Sequence, residues 1–296
     1  MGEITIKPVE SRREQRQFVN LAWTINCADE NWIPPLRRNQ EELLGFRKHP
    51  FHDFATVQNW LAWRGGQPVG RITGIDNPIH NEKYQEKRGF FGFFESIDDQ
   101  EVADGLFDTV RDWLREQGIE QMRGPVNPSQ NYEIGLLIDG FDTPPTFMMT
   151  HNLPYYSRLI ENYGFGKAQD LYAFWGHVDM LASLDQKLAF IINEATKRFE
   201  IKLRTLDRSR FKQDVQDFLH IYNASLDGSW GFTPLSQGEI DHMSAVLRHL
   251  VVPEVTAIAE VDGRPVASAF GLLDYNPRIK QIDGRLFPFG FLRLLT

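Results

Sequence analysis

The side chains best suited to chemistry stand in an irregular stretch between Gly124 and His151. Asn127, Ser129, Asn131 and Glu133 alternate along its start. On extended backbone all four point one way and line a polar pocket for the amine or carboxyl group of a small substrate. The plainer use of such residues is to bond the backbone of an irregular segment. The stretch is long for a connection inside a compact domain, and such loops are often functional.

A second chemical pattern is "GFFGFFESIDDQEVADGLFDTVRDWL", Gly89 to Leu114, which reads as an apolar strand, a tight turn and an amphipathic helix. Strand-to-helix junctions often hold phosphate on glycine-rich backbone at the helix N-terminus. Here the turn carries Glu95, Asp98 and Asp99, with Glu101 behind it. Such carboxylates suit the helix dipole and repel a phosphate. Metal chemistry has no support: His49 and His52 flank a proline, no acidic residue stands at metalloprotease spacing, and His242 and His249 share at most a solvated helix face. There is no nucleophile elbow, Walker loop or Rossmann glycine pattern. The single cysteine, Cys27, excludes an internal disulfide framework and is expected to be a buried thiol at the end of an apolar helical stripe.

Composition bounds the partners. With 42% hydrophobic residues in 296, the chain has material for packed cores. A net charge of −8 argues against nucleic acid, whose binding relies on clustered Lys and Arg. The start, "MGEITIKPVE", lacks a signal-peptide pattern, and no apolar run reaches the roughly 20 residues of a membrane span. No membrane partner and a cytoplasmic location are expected.

The elements that must position these residues occur twice. Ile4 to Glu10 alternates as a half-buried strand, Phe18, Leu21, Ala22 and Ile25 recur at helical spacing, and Gln58–Arg64 and Val69–Ile75 flank a Gly-Gly-Gln-Pro hairpin signal with Pro68 at a turn position. The same order returns about 200 residues on. Ile201 to Asp207 matches the opening strand, Phe218 to Ile221 the helix stripe, Trp230 to Pro234 the Trp32 to Pro35 loop, and Gly263 to Ala267 the Gly66 to Gly70 turn. Two copies of one domain follow, joined by a helix carrying Leu184, Leu188, Ile191 and Ala195. The first copy continues with a strand at Gly89–Glu95, a helix at Asp98–Gln117, a strand at Ile119–Val126, a helix near Pro154–Tyr163 and a strand at Ala168–Gly176. The second has only 22 residues after Asp274.

Strand, helices, three antiparallel strands, helix, strand, helix, strand is the order of the GNAT (GCN5-related N-acetyltransferase) superfamily. "NLPYYSRLIENYGF", Asn152 to Phe165, resembles its last helix, and "RGPVNPSQNYEIGLLIDGFDTPP", Arg123 to Pro145, resembles a bacterial subgroup of tandem GNAT-like proteins. The resemblance implies an α/β (α+β) fold of two tandem GNAT-like domains, each a mixed, mostly antiparallel sheet flanked by helices, the second incomplete. The boundaries are 1–178, a linker helix over 179–200, and 201–296.

In that superfamily a Gly-rich turn after the fourth strand holds the pyrophosphate of acetyl-CoA. The turn after Glu95 has no glycine, so the first copy is expected to have lost this site. Members often use a tyrosine four residues before the Gly-Phe of the last helix; Ile160 stands there, leaving Tyr155 and Tyr156 one turn earlier. Candidate catalytic groups are therefore Tyr155, Tyr156 and Glu133, with no general base assigned.

The implied function is N-acyl transfer from acetyl-CoA or another acyl-CoA, without a metal, to a small-molecule amine or amino-acid-like acceptor. The acyl-CoA site is expected in the C-terminal copy, cut short at Thr296, so the 296-residue chain is expected to continue in nature and to be inactive alone. The alternative is a non-catalytic module that binds a small ligand or a partner. A bare strand edge over 266–273 is expected to promote self-association.

Overall fold

The computed structural model describes residues 2–183 and 185–295. Leu184, placed by the sequence on the linker helix, lies outside the described residues. These form two compact units, one of residues 2–168, 230–239 and 274–295 and one of 169–183, 185–229 and 240–273. The units interleave along the chain, whereas the division expected from the sequence is sequential.

The first unit opens with β1 (Ile4–Pro8) and α1 (Arg12–Ile25). A capping box starts α1: Ser11 Oγ accepts from the Glu14 N–H at 3.2 Å, and Glu14 Oε2 accepts from the Ser11 N–H at 2.8 Å. Phe18, Val19, Leu21 and Ala22 form its buried stripe. Asn26 closes the helix, so Cys27 falls beyond the stripe and is exposed, not buried as expected. α2 (Arg37–Leu43) follows, then β2 (Thr56–Arg64) and β3 (Gln67–Asp76). Gly65 and Gly66, at φ +57° and +79°, make the two-residue turn between Arg64 and Gln67. Pro68 belongs to β3, at a register shift opposite Trp63, and not to the turn.

Next come α3 (Pro78–Tyr84), β4 (Arg88–Ser96), α4 (Gln100–Glu116), β5 (Gln121–Arg123) and a small ladder of β6 (Val126–Asn127) with β7 (Glu133–Ile134). α5 (Tyr156–Tyr163) follows and ends on Gly164, at φ +109°. The sheet order is β1-β2-β3-β4-β5, antiparallel except for the parallel β4–β5 pair. This is the GNAT order as far as its last helix. The expected strand over 168–176 does not form; that stretch carries no ladder hydrogen bonds, and Phe174 and Trp175 are exposed. One face of the sheet packs on α4 and α5 through Ile72, Phe91, Leu106, Phe107 and Leu159, and the other on α1 through Phe18, Leu21, Leu61 and Phe93.

The second unit contains α6 (Gln186–Arg198), β8 (Lys202–Arg204), α7 (Phe211–Leu226), most of α8 (Gln237–Leu247), β9 (Val251–Val261) and β10 (Arg264–Leu272). α6 buries no residue, and Leu188 and Ile191 of its expected stripe are exposed. The sheet order is β10-β9-β8. Its register repeats the first: Leu203↔Ala259 and Val261↔Arg264 each lie 197 residues beyond Ile6↔Ala62 and Arg64↔Gln67. Asp262 and Gly263 supply the positive φ angles of the corresponding turn. Two further helices, α9 (Asn276–Gln281) and α10 (Gly290–Leu295), belong to the first unit. No described helix is long and apolar enough to cross a membrane.

Candidate active site

The site grows from an irregularity in β4. Thr73 pairs with Gly92, yet Arg71 pairs with Glu95, so β4 carries an extra residue and Phe93 sits at φ +48°. The Phe93 N–H, turned out of the ladder, donates to Asn127 Oδ1 at 2.6 Å. β6 can come this close only because position 92 is glycine; a Cβ there would lie 1.8 Å from the Val126 carbonyl oxygen.

Beyond the bulge, Glu95 anchors a buried polar network. Its Oε2 accepts from Tyr156 Oη at 2.5 Å and from Asn26 Nδ2 at 3.1 Å, and its Oε1 lies 3.4 Å from Arg71 Nη2. Arg71 also donates from Nη1 to the Phe18 carbonyl at 2.8 Å. Burial works against its charge, and Glu95 opposes that effect. Tyr155 donates to the Ser96 carbonyl at 2.7 Å, and Tyr156 accepts from the Ser96 N–H at 3.2 Å. Both phenols are thus tied to the end of β4. Burial pushes the Tyr155 hydroxyl up to about 12 and that of Tyr156 well above its ordinary value.

The other carboxylates of the turn are engaged locally, which answers why they stand there. Asp99 is the N-cap of α4, accepting from the N–H groups of Glu101 and Val102 at 3.0 and 3.4 Å. It also pairs with Arg64 at 2.7 Å, which reaches Glu101 at 3.5 Å, and Asp98 pairs with Arg158. Two N–H groups that a helix start could offer a phosphate are taken by the chain itself.

The four alternating residues do not form one wall. The backbone reverses between β6 and β7, making Asn127 and Glu133 cross-strand partners. Asn127 Nδ2 donates to Glu133 Oε1 at 3.2 Å, and Thr150 Oγ1 lies 3.4 Å from the same oxygen. Ser129 and Asn131 stand in the turn: Ser129 Oγ accepts from the Asn131 N–H at 3.3 Å, and Asn131 Nδ2 donates to the Thr233 carbonyl at 2.8 Å. The structure therefore brings Asn127 and Glu133 together and directs Ser129 and Asn131 to the backbone.

Glu133 is the group with the most useful ionisation. Burial raises its pKa to about 7; the bonds from Asn127 and Thr150 and the charge of Arg71 oppose the rise, and Glu95 adds to it. The residue nevertheless keeps partial surface. A carboxylate deep among protein atoms, with its ionisation raised to near neutral pH, is suited to take a proton there. Two surface hollows, of about 280 and 310 Å³, lie elsewhere and contain none of these residues.

Three further residues were not singled out in the sequence. Arg71 is the one charge in the apolar stretch 69–75 of β3, which was the signal for it. Asp29 and His151, paired at 2.8 Å, are 122 residues apart, and no local spacing marks them.

No family model matches the chain. Protein YghO of Escherichia coli (strain K12) is 36% identical over 285 residues, 96% of this chain and 72% of that protein. The bacterial ceramide synthase of Caulobacter vibrioides (strain NA1000 / CB15N) is 35% identical over 298 residues, 99% of this chain and 76% of that protein. Among solved structures, an aminoglycoside acetyltransferase from an uncultured soil metagenomic sample, in complex with sisomicin, aligns at a TM-score of 0.36 and 10% identity, over 59% of this chain and 96% of that one. A predicted acetyltransferase with acetyl-CoA from Clostridium acetobutylicum aligns at a TM-score of 0.36 and 12% identity, over 61% of this chain and 98% of that one.

Proposed function

This chain belongs to the family of Protein YghO and the bacterial ceramide synthase, and from that premise we propose that it transfers an acyl group from acyl-CoA to the amine of a long-chain amino alcohol. A ceramide is the N-acyl amide of a long-chain amino diol, so the relative's name points to amide formation. The observation that carries the reading is Glu133, with its pKa raised to about 7.

An alkyl amine is protonated near neutral pH and must shed a proton before its lone pair can attack. Glu133 takes that proton and passes it to solvent. The nitrogen bonds to the thioester carbonyl carbon, the C–S bond breaks, and the second proton leaving nitrogen ends on the thiolate. Arg71, Tyr156 and Asn26 keep Glu95 engaged and leave Glu133 to act as the base. Tyr155 and Tyr156 hold the end of β4 and are not needed as acids.

The closed N-terminus of α4 argues against a pyrophosphate there. The repeated register across β8, β9 and β10 supports reading residues 201–296 as a second GNAT-like domain, with 1–178 as the first and 179–200 as the linker. The same closed N-terminus favours a second reading, a non-catalytic ligand-binding module. Turnover separates them. Against the sequence-based expectation that the 296-residue chain is inactive alone, this reading has the protein release free thiol and form amide from palmitoyl-CoA and a long-chain 2-amino-1,3-diol, and Glu133→Gln should lower kcat by about 10²-fold or more. Binding of the amine without amide formation would support the module and overturn the enzyme reading.

A further inference from the structure

The pair of His151 and Asp29 is left unused by the proton transfer assigned to Glu133. Asp29 Oδ2 lies 2.8 Å from His151 Nε2, with the two side chains 18% and 6% exposed. Asp29 Oδ1 accepts the Asn31 N–H at 2.9 Å. The hydrogen bond from His151 helps hold the Asp29 carboxyl below its usual range against the opposing effect of burial, so it is ionised. An ionised carboxylate only accepts, which puts the proton on Nε2. The ring's other nitrogen, Nδ1, is buried, and no described protein group pairs with it.

Buried polar atoms are nearly always paired. A buried ring nitrogen left unpaired is suited to a partner that arrives with a ligand. Its surroundings point to which ligand. Thr150, next in the chain, reaches Glu133, while Asn152 on the other side bonds the N–H and carbonyl of Leu137 at 2.7 and 3.2 Å. Asn31 Nδ2 donates to the Phe141 carbonyl at 2.9 Å, tying the Asp29 loop to the same segment. The pair is thus tied to the segment whose Thr150 reaches the carboxylate assigned as base.

We propose that His151 Nδ1 accepts the hydrogen bond of a hydroxyl next to the acceptor's amine, with Asp29 as the positioning residue that sets the tautomer. The inference rests on the amine-acylation reading and deepens it by naming the residues that tell the amino alcohol of that reading from a plain amine. A site built to pair a substrate hydroxyl rejects the analogue lacking it, because its own buried group is left unsatisfied.

The test compares 2-amino-1-octadecanol with octadecylamine, each with palmitoyl-CoA, in the unaltered protein and in His151→Ala and Asp29→Asn. The unaltered protein should prefer the amino alcohol by about tenfold or more in kcat/KM, and both variants should lose the preference. Circular dichroism checks that each is folded. A preference retained in either folded variant overturns the inference, and if Glu133→Gln still abolishes transfer, the enzyme reading survives it. If neither acceptor is acylated by the unaltered protein, the enzyme reading fails. Histidine ¹⁵N NMR, which needs no turnover, then decides the inference. An Nδ1 resonance assigned to His151 that moves with the amino alcohol and not with octadecylamine upholds it; one that moves with neither refutes it.

Discussion

Glu133 couples activity to stability through one burial. Its carboxyl ionises at about 7 in the folded protein against 4.5 ordinarily, with desolvation as the largest cause. Between those values the folded state holds a proton that the unfolded chain has lost. The contribution is fully present below pH 4.5 and is lost as pH rises through 7. After allowance for partial exposure this amounts to about 2 kcal/mol. Glu133→Gln should therefore be more stable than the unaltered protein at pH 8 and little changed at pH 4.5, as read by urea denaturation at both. Equal stability changes at the two pH values would refute the burial account. Asn127 and Glu133 were legible because polar residues alternate in an otherwise irregular segment. Their true relation was not, because the alternation spans a chain reversal. Asp29 and His151 stayed hidden because their pairing exists only once two distant loops meet.

At the scale of elements, the bulge of β4 and the start of α4 are the critical joints. Gly92→Ala would drive a Cβ against the Val126 carbonyl, which cannot move without breaking the β6–β7 ladder that presents Glu133. The expected cost is about 3 kcal/mol or more, together with loss of transfer, measured by thermal melting and by amide formation; a neutral substitution would show that β6 is free to shift. Asp99→Ala removes the cap of α4 and the partner of Arg64, with an expected cost of about 1 kcal/mol. β4 and α4 were readable from their apolar patterns and from carboxylates at the helix start that suit its dipole. The missing strand at 168–176 was not, because its apolar residues satisfy a strand pattern while no neighbouring strand pairs with them.

Across the whole molecule, sequence order and compactness part company. Within the first unit, Asn131 bonds Thr233, Tyr132 bonds Glu239 at 2.9 Å, Trp23 Nε1 donates to Asp283 at 2.6 Å and Asn276 donates to the Pro145 carbonyl at 2.6 Å. Residues 230–239 and 274–295 thus complete a unit that the sequence-based boundaries end at 178. Expressed alone, residues 1–178 should expose the surfaces that cover Phe232, Leu235 and Ile279, each buried in the protein, and should be cleaved far faster in limited proteolysis than the same segment in the whole chain. A protease-resistant fragment would contradict this. The strand order of the second sheet was legible because the repeat carries the hairpin and its register with it. β10 ends that sheet, with Val266 exposed, and self-association through 266–273 is expected there. Val266→Lys should lower the mass seen by light scattering, and an unaltered protein that is already monomeric would exclude that edge.

The central claim is that Glu133 is the base of an N-acyl transfer. The pH dependence of kcat/KM with palmitoyl-CoA and a long-chain 2-amino-1,3-diol, measured from pH 5 to 9 in the unaltered protein and in Glu133→Gln, tests it most directly. The account predicts a rise through an apparent pKa near 7 in the unaltered protein, because the carboxylate form accepts the proton. In the glutamine variant that limb should be absent and the rate low throughout. The same limb with the same midpoint in Glu133→Gln would contradict the claim.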